Sequence, residues 1–265
     1  MSINLQNKIK VVSEKNSRIL LPNLITIIGV CIGLSSIKFA LDNRFELSII
    51  AILFAAIMDS LDGRVARLIK GTSKVGKELD SLTDVISFGV APAFIMYFWH
   101  LNQIEKIGWL LCLTYVVCVA LRLARFNITS NINHEWKDNF FEGVPAPAGA
   151  ILLLMPLIFE KSNIFSIIDN TYIVSTMFII VPLLMISKIP TYSFKKIVIP
   201  RKSTVFLLFG IGIFIGLLII YTFKTVFISG LIYILLIPVS IIHYNNIKSK
   251  NDLADINDDD QEDML

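Results

Sequence analysis

Eight long apolar runs constrain this chain more than any other feature. They cover approximately residues 21–41, 46–69, 76–99, 106–127, 145–160, 171–188, 203–223 and 226–246. About 20 residues at 1.5 Å each cross the hydrocarbon core of a bilayer, so runs of this length read as transmembrane helices. Lipid offers no partner to a backbone N–H or C=O, which leaves helices and closed barrels as spanning structures. The runs lack the two-residue alternation of barrel strands. Composition agrees: 17% of residues are charged, against about 25% in a soluble domain, and mean hydropathy is +0.71. The expected fold is all-α, a polytopic membrane helix bundle of about eight transmembrane helices.

Basic residues orient the bundle. With the N-terminus in the cytoplasm, nineteen of the 24 Lys and Arg fall on that side, leaving Lys38, Arg44, Lys106, Lys161 and Lys224 opposite. An even number of spans then puts both termini inside. The chain divides into a basic cytoplasmic segment 1–20 with no cleavable signal, a single transmembrane domain 21–246, and an acidic tail 247–265 that reads as disordered. Basic residues scattered over short loops favour anionic lipid headgroups and argue against nucleic acid. Cys31, Cys112 and Cys118 fit no zinc or redox spacing and read as small buried side chains. Gly212 and Gly216 make a G-x-x-x-G pair, suited to close helix packing or to a dimer seam.

The second and third runs contain charges that a lipid-facing helix would not tolerate. The stretch MDSLDGRVARLIKGTSKVGKELDSLTDVISFG, residues 58–89, holds Asp59, Asp62, Asp80 and Asp84. With the turn near residues 69–75, both pairs lie on the order of 8–16 Å from it. Spacings of i, i+3 and i, i+4 put each pair on one helix face. Two antiparallel helices therefore bring four carboxylates to one point just below the cytoplasmic surface. A single ionised side chain at membrane depth costs about 2.5–3.5 kcal/mol, so the cluster demands a cation. Arg64 and Arg67 could supply a salt-bridge network. One or two divalent ions would satisfy several carboxylates at once. Oxygen ligands without nearby His or Cys select Mg²⁺, Mn²⁺ or Ca²⁺ over zinc. A cation-coupled transporter also uses intramembrane carboxylates, but would need them reachable from both faces. Gly63, Ala66 and Gly76 leave room for a ligand against the backbone, and Arg67 offers a fork of donors to a phosphate. Together these residues describe a two-metal site for a lipid-linked phosphate ester.

Written as a pattern, residues 59–84 read D-x-x-D-G-x-x-A-R-x8-G-x-x-x-D-x-x-x-D. This closely resembles the signature of the CDP-alcohol phosphotransferases, with every defining position matched. DSLTDVISFGVAPA, ALRLARFNI, FEGVPAPAGA and LMISKIPT look like its phosphatidylserine synthase branch, and the matches run from about residue 21 to 191. The resemblance implies a six-helix core plus two C-terminal helices. It also implies transfer of a phosphatidyl group from CDP-diacylglycerol to L-serine in a bacterial cytoplasmic membrane, releasing CMP. Another acceptor, such as glycerol-3-phosphate or inositol phosphate, fits the same fold but would call for more basic residues near the site. A route through a covalent histidine is excluded, since none of the three histidines stands in H-x-K. Dimers are common in the family, so a homodimer is compatible.

Carried over residue by residue, the resemblance gives Asp59, Asp62 and Asp80 to the metals. Asp84 touches the second metal and acts as general base on the serine hydroxyl. Gly63, Ala66, Arg67 and Gly76 line the nucleotide site, with Arg67 on the diphosphate. Asn23 and Thr26, at the start of the first span, are further nucleotide contacts, with helix capping the rival role for Asn23. Arg122, Arg125, Ser187 and Lys188 are candidates for the serine carboxylate or the lipid phosphate.

Overall fold

The computed structural model describes residues 3–69, 73–129, 140–162, 170–192 and 201–262. The chain is almost wholly helical: α1 (Ile3–Leu41), α2 (Phe45–Leu68), α3 (Lys74–Asp84), α4 (Ala91–Trp99), α5 (Glu105–Thr129), α6 (Ala146–Lys161), α7 (Asn170–Ile186), α8 (Arg201–Ile220) and α9 (Thr222–Glu262). A π-helical segment, Val85–Val90, joins α3 to α4, so the third apolar run forms one unbroken span. Each expected run coincides with a helix to within a few residues.

Four helical stretches are long and apolar enough to cross a membrane: Leu20–Leu41, Val75–Trp99, Leu101–Ile128 and Thr222–Ile247. The chain is thus a multi-pass membrane protein by the length and composition of its helices. The charges of α2 set it apart from this group, and α6 has only 16 residues. The helices Thr171–Ile186 and Thr204–Ile220 are apolar but shorter.

Several expectations are refined. The first helix begins at Ile3, well before the first apolar run, and passes through Pro22. Asn23 therefore lies inside a helix and caps nothing. The backbone of α9 continues to Glu262, through the segment read from composition as an unstructured tail. Two three-residue strands add a feature that hydropathy does not carry: β1 (Phe140–Glu142) pairs antiparallel with β2 (Pro190–Tyr192). Gly143 follows β1 with φ +76°, and a Cβ there would press within 3 Å of the Met185 and Ser187 carbonyl oxygens. Glycine alone enters that turn cheaply.

The core lies around α6, whose buried residues run without a break from Leu152 to Ile158. Phe88, Ile95, Met96, Tyr115, Leu153 and Phe178 close around it. The longest helix pairing is α1 with α2. Ala40, Ile49 and Ile52 are buried in the core these helices share. Exposed leucine, isoleucine and phenylalanine side chains cover the outside, as expected where the solvent is lipid. Cys31 belongs to that outer face, so its expected burial within the protein is corrected; Cys112 is buried. Gly212 and Gly216 are corrected likewise: a Cβ on either would meet nothing within 4 Å, so they pack no helix of this chain.

Candidate active site

The hairpin of α2 and α3 brings the aspartates together. Asp59 and Asp62 lie one turn apart near the end of α2. Ser73 caps α3 by accepting the Gly76 N–H at 2.9 Å, which fixes where Asp80 and Asp84 emerge. Carboxylate oxygens of Asp59, Asp62 and Asp80 all lie within 4.8 Å of one another. Asp62 is buried, at 4% exposure. Asp84, one turn further from the hairpin, faces the Asp59 carboxyl. Its Oδ1 is sealed from solvent and has no hydrogen-bond partner among the described residues.

Two carboxylates 4 Å apart repel by about 4 kcal/mol at the effective dielectric near a protein surface. Arg64 and Arg67 do not relieve this; both are exposed, and neither forms an ion pair with the cluster. The salt-bridge reading of the motif therefore fails on geometry. A divalent cation fits instead: three oxygen ligands converge, the orphaned Asp84 Oδ1 faces the same group, and the donor set is all carboxylate.

Beside the carboxylates opens a cavity of about 490 Å³, built from three helices. Pro22, Asn23 and Thr26 come from α1; Asp62, Gly63 and Ala66 from α2; Ser73, Gly76, Lys77 and Asp80 from the start of α3. The Thr26 hydroxyl stands 2.6 Å from Asp62 Oδ2 and 3.0 Å from the Pro22 carbonyl. It orients the carboxylate from outside the hairpin. Gly63 presents a bare backbone face, where a Cβ would meet nothing within 4 Å. At Gly76 a Cβ would lie 2.9 Å from Asn23 Oδ1, so glycine permits Asn23 to approach α3.

Five residues predicted at the nucleotide site thus share one wall: Asn23, Thr26, Gly63, Ala66 and Gly76. Arg67 stands outside it, exposed on the last turn of α2. Sequence reasoning missed Pro22, Ser73 and Lys77. Ser73 carries a cap signal, a serine just before a helical run, that was there to be used. Lys77 precedes Asp80 by three residues and so shares its helix face.

The second group of candidates separates. Arg122 is buried, at 8% exposure, within electrostatic reach of Asp84, Tyr233, Arg125 and Tyr115. Arg125 donates to the Ile186 carbonyl at 2.6 Å and the Ser187 carbonyl at 3.3 Å, tying α5 to the end of α7. The Ser187 hydroxyl donates to the Leu184 carbonyl at 2.8 Å, within its own helix end. Lys188 is exposed. A further bond, Asn127 Nδ2 to Ser81 Oγ at 2.9 Å, holds α5 against α3.

Comparison with known proteins bears on this geometry. The family model described as CDP-alcohol phosphatidyltransferase matches residues 19–247. A protein of Mycobacterium leprae named CDP-diacylglycerol–serine O-phosphatidyltransferase is 34% identical over 224 residues, 84% of this chain and 74% of that protein. Its namesake in Helicobacter pylori is 35% identical over 242 residues, covering 87% and 98%. One from Methanocaldococcus jannaschii is 38% identical over 181 residues, covering 67% and 77%.

Proposed function

Since the chain belongs to the CDP-alcohol phosphatidyltransferase family, we propose that it transfers the phosphatidyl group of CDP-diacylglycerol to L-serine, giving phosphatidylserine and CMP. The observation that carries this reading is a cavity open on a bare glycine face and ending at converged carboxylates. A nucleotide diphosphate has the size and charge for such a space. The names of the three relatives support serine as the acceptor.

In this reading Asn23, Thr26, Ala66 and the backbone at Gly63 and Gly76 receive the nucleotide half, and Lys77 and Arg67 add positive charge at its rim. Asp59, Asp62, Asp80 and Asp84 would hold two divalent ions, Mn²⁺ or Mg²⁺ in the first instance. When bound, such ions neutralise the diphosphate and stabilise charge on the transferring phosphorus. Asp84 takes the proton of the serine hydroxyl as its oxygen bonds to the phosphorus bearing diacylglycerol. The bond from that phosphorus to the bridging oxygen breaks, and CMP leaves with the electron pair. Thr26 steadies Asp62 throughout.

The finer topology belongs to the same proposal. Eight spans are read here, with α3, the π-helical segment and α4 counted as one. Both termini and the site face the cytoplasm, where the basic residues concentrate. The diacylglycerol tails then stay in the bilayer while the headgroup reacts just below its surface.

The test is CMP release by purified protein in mixed micelles of CDP-diacylglycerol, with Mn²⁺ or Mg²⁺ and a panel of alcohols. Release should depend on serine, stop on chelation and resume when the metal is restored. Release driven by glycerol-3-phosphate would replace the acceptor and keep the chemistry. Silence with every alcohol would end the reading.

A further inference from the structure

Around Arg122, most polar groups are already committed. Tyr115 donates its hydroxyl to the Phe88 carbonyl at 2.8 Å. Arg125 spends its guanidinium on the end of α7. Thr191, which with Tyr233 lines a small cleft between β2 and α9, donates to the Gly143 carbonyl at 2.8 Å. Three atoms remain: Arg122 Nε, the Tyr233 hydroxyl and Asp84 Oδ1 are each sealed from solvent and without a hydrogen-bond partner among the described residues. Arg122 is within electrostatic reach of both of the others, and no ion pair joins it to Asp84.

Buried polar atoms without partners are rare, because each costs about 1–3 kcal/mol of desolvation. Three facing one another describe the complement of a missing ligand. Two are donors, Nε–H and O–H, and suit the two oxygens of a carboxylate. The third is an acceptor on the proposed general base and suits a hydroxyl. A small acid with a nearby hydroxyl meets all three at once; a neutral polyol leaves the donors unsatisfied.

We propose that Tyr233, on α9, is a specificity-determining residue: with Arg122 it receives the carboxylate of the acceptor and so aims the acceptor's hydroxyl at Asp84. The proposal rests on the phosphatidyl-transfer reading above and adds the last helix to the acceptor half of the site. It also gives the selection rule: a hydroxyl-bearing acid is chosen over an amino alcohol of the same length because only the acid fills both donors.

The experiment compares wild type with Tyr233→Phe in the micelle assay, using serine and ethanolamine as acceptors. A hydrogen bond to a charged group sets the scale, so KM for serine should rise roughly ten- to hundredfold. kcat and the KM for CDP-diacylglycerol should change little, and the preference for serine over ethanolamine should fall. Tyr192→Phe is the control: its hydroxyl lies 3.0 Å from His243 Nδ1, at the same cleft, and serine KM should hold. A serine KM within twofold of wild type in Tyr233→Phe overturns the proposal. So does an equal loss of CDP-diacylglycerol affinity, which would make Tyr233 a support for α9. Wild type inert with every alcohol overturns the phosphatidyl-transfer reading itself, so the two failures are told apart.

Discussion

At the scale of single residues, four carboxylates of one chemical type occupy unequal positions. Asp59, Asp62 and Asp80 present oxygens to one another, while Asp84 keeps one oxygen turned to no partner. A ligand to a cation and a base on a hydroxyl need that difference: the first must converge with its neighbours, the second must keep a free lone pair. Asp84→Asn preserves shape and removes the base. It should lower turnover by about 10²–10⁴, while CDP-diacylglycerol binding survives better than in Asp59→Asn. Paired CMP-release and lipid-substrate titrations of the two variants check this. Equal loss of binding would deny them separate roles. The aspartates were legible from sequence because a carboxylate inside an apolar run has few structural uses. The commitment of Arg125 to two carbonyls was not legible, since those carbonyls come from a helix some sixty positions away.

At the scale of elements, the site depends on how closely helix backbones approach. Two glycines of the motif make different uses of a missing side chain. Gly63 faces open space, whereas Gly76 faces Asn23. Gly76→Ala should therefore destabilise the protein by about 1–3 kcal/mol through overpacking, visible as a lower Tm without substrate. Gly63→Ala should leave that Tm unchanged and instead raise the KM for CDP-diacylglycerol. If both variants lose Tm equally, Gly63 is a packing glycine and its face is not a ligand surface. The π-helical segment Val85–Val90 follows the same logic. Ser87 lies so close to α1 that a Cβ on Gly33 would fall within 3 Å of it, and the Phe88 carbonyl is taken by Tyr115. The irregular turn is held from two sides directly after Asp84. π-Segments recur at functional sites, where an extra residue in the turn re-aims its neighbours.

At the scale of the whole molecule, a membrane position explains both the exposed apolar surface and the placing of charge. The proposed orientation can be checked on a cysteine-free background made by replacing Cys31, Cys112 and Cys118. Ser73→Cys should react with an impermeant maleimide only from the cytoplasmic side. Asn102→Cys, on the exposed turn between α4 and α5, should react only from the opposite side. The reverse pattern would invert the bundle.

The sequence by itself determined the helical runs, the hairpin of paired aspartates and the family, because lipid forces helices and fixed spacings force shared faces. Those are local constraints, read within one or two turns of chain. Only the tertiary structure decided that α1 supplies the third wall of the cavity and that Arg67 stands outside it. It also decided that Arg125 is spent on carbonyls while Arg122 is left over, and that Tyr233 from the last helix faces it. These outcomes depend on which helices pack side by side and how each is rotated. Lipid accepts an apolar side chain on any outward face, so apolar periodicity alone leaves that rotation unspecified.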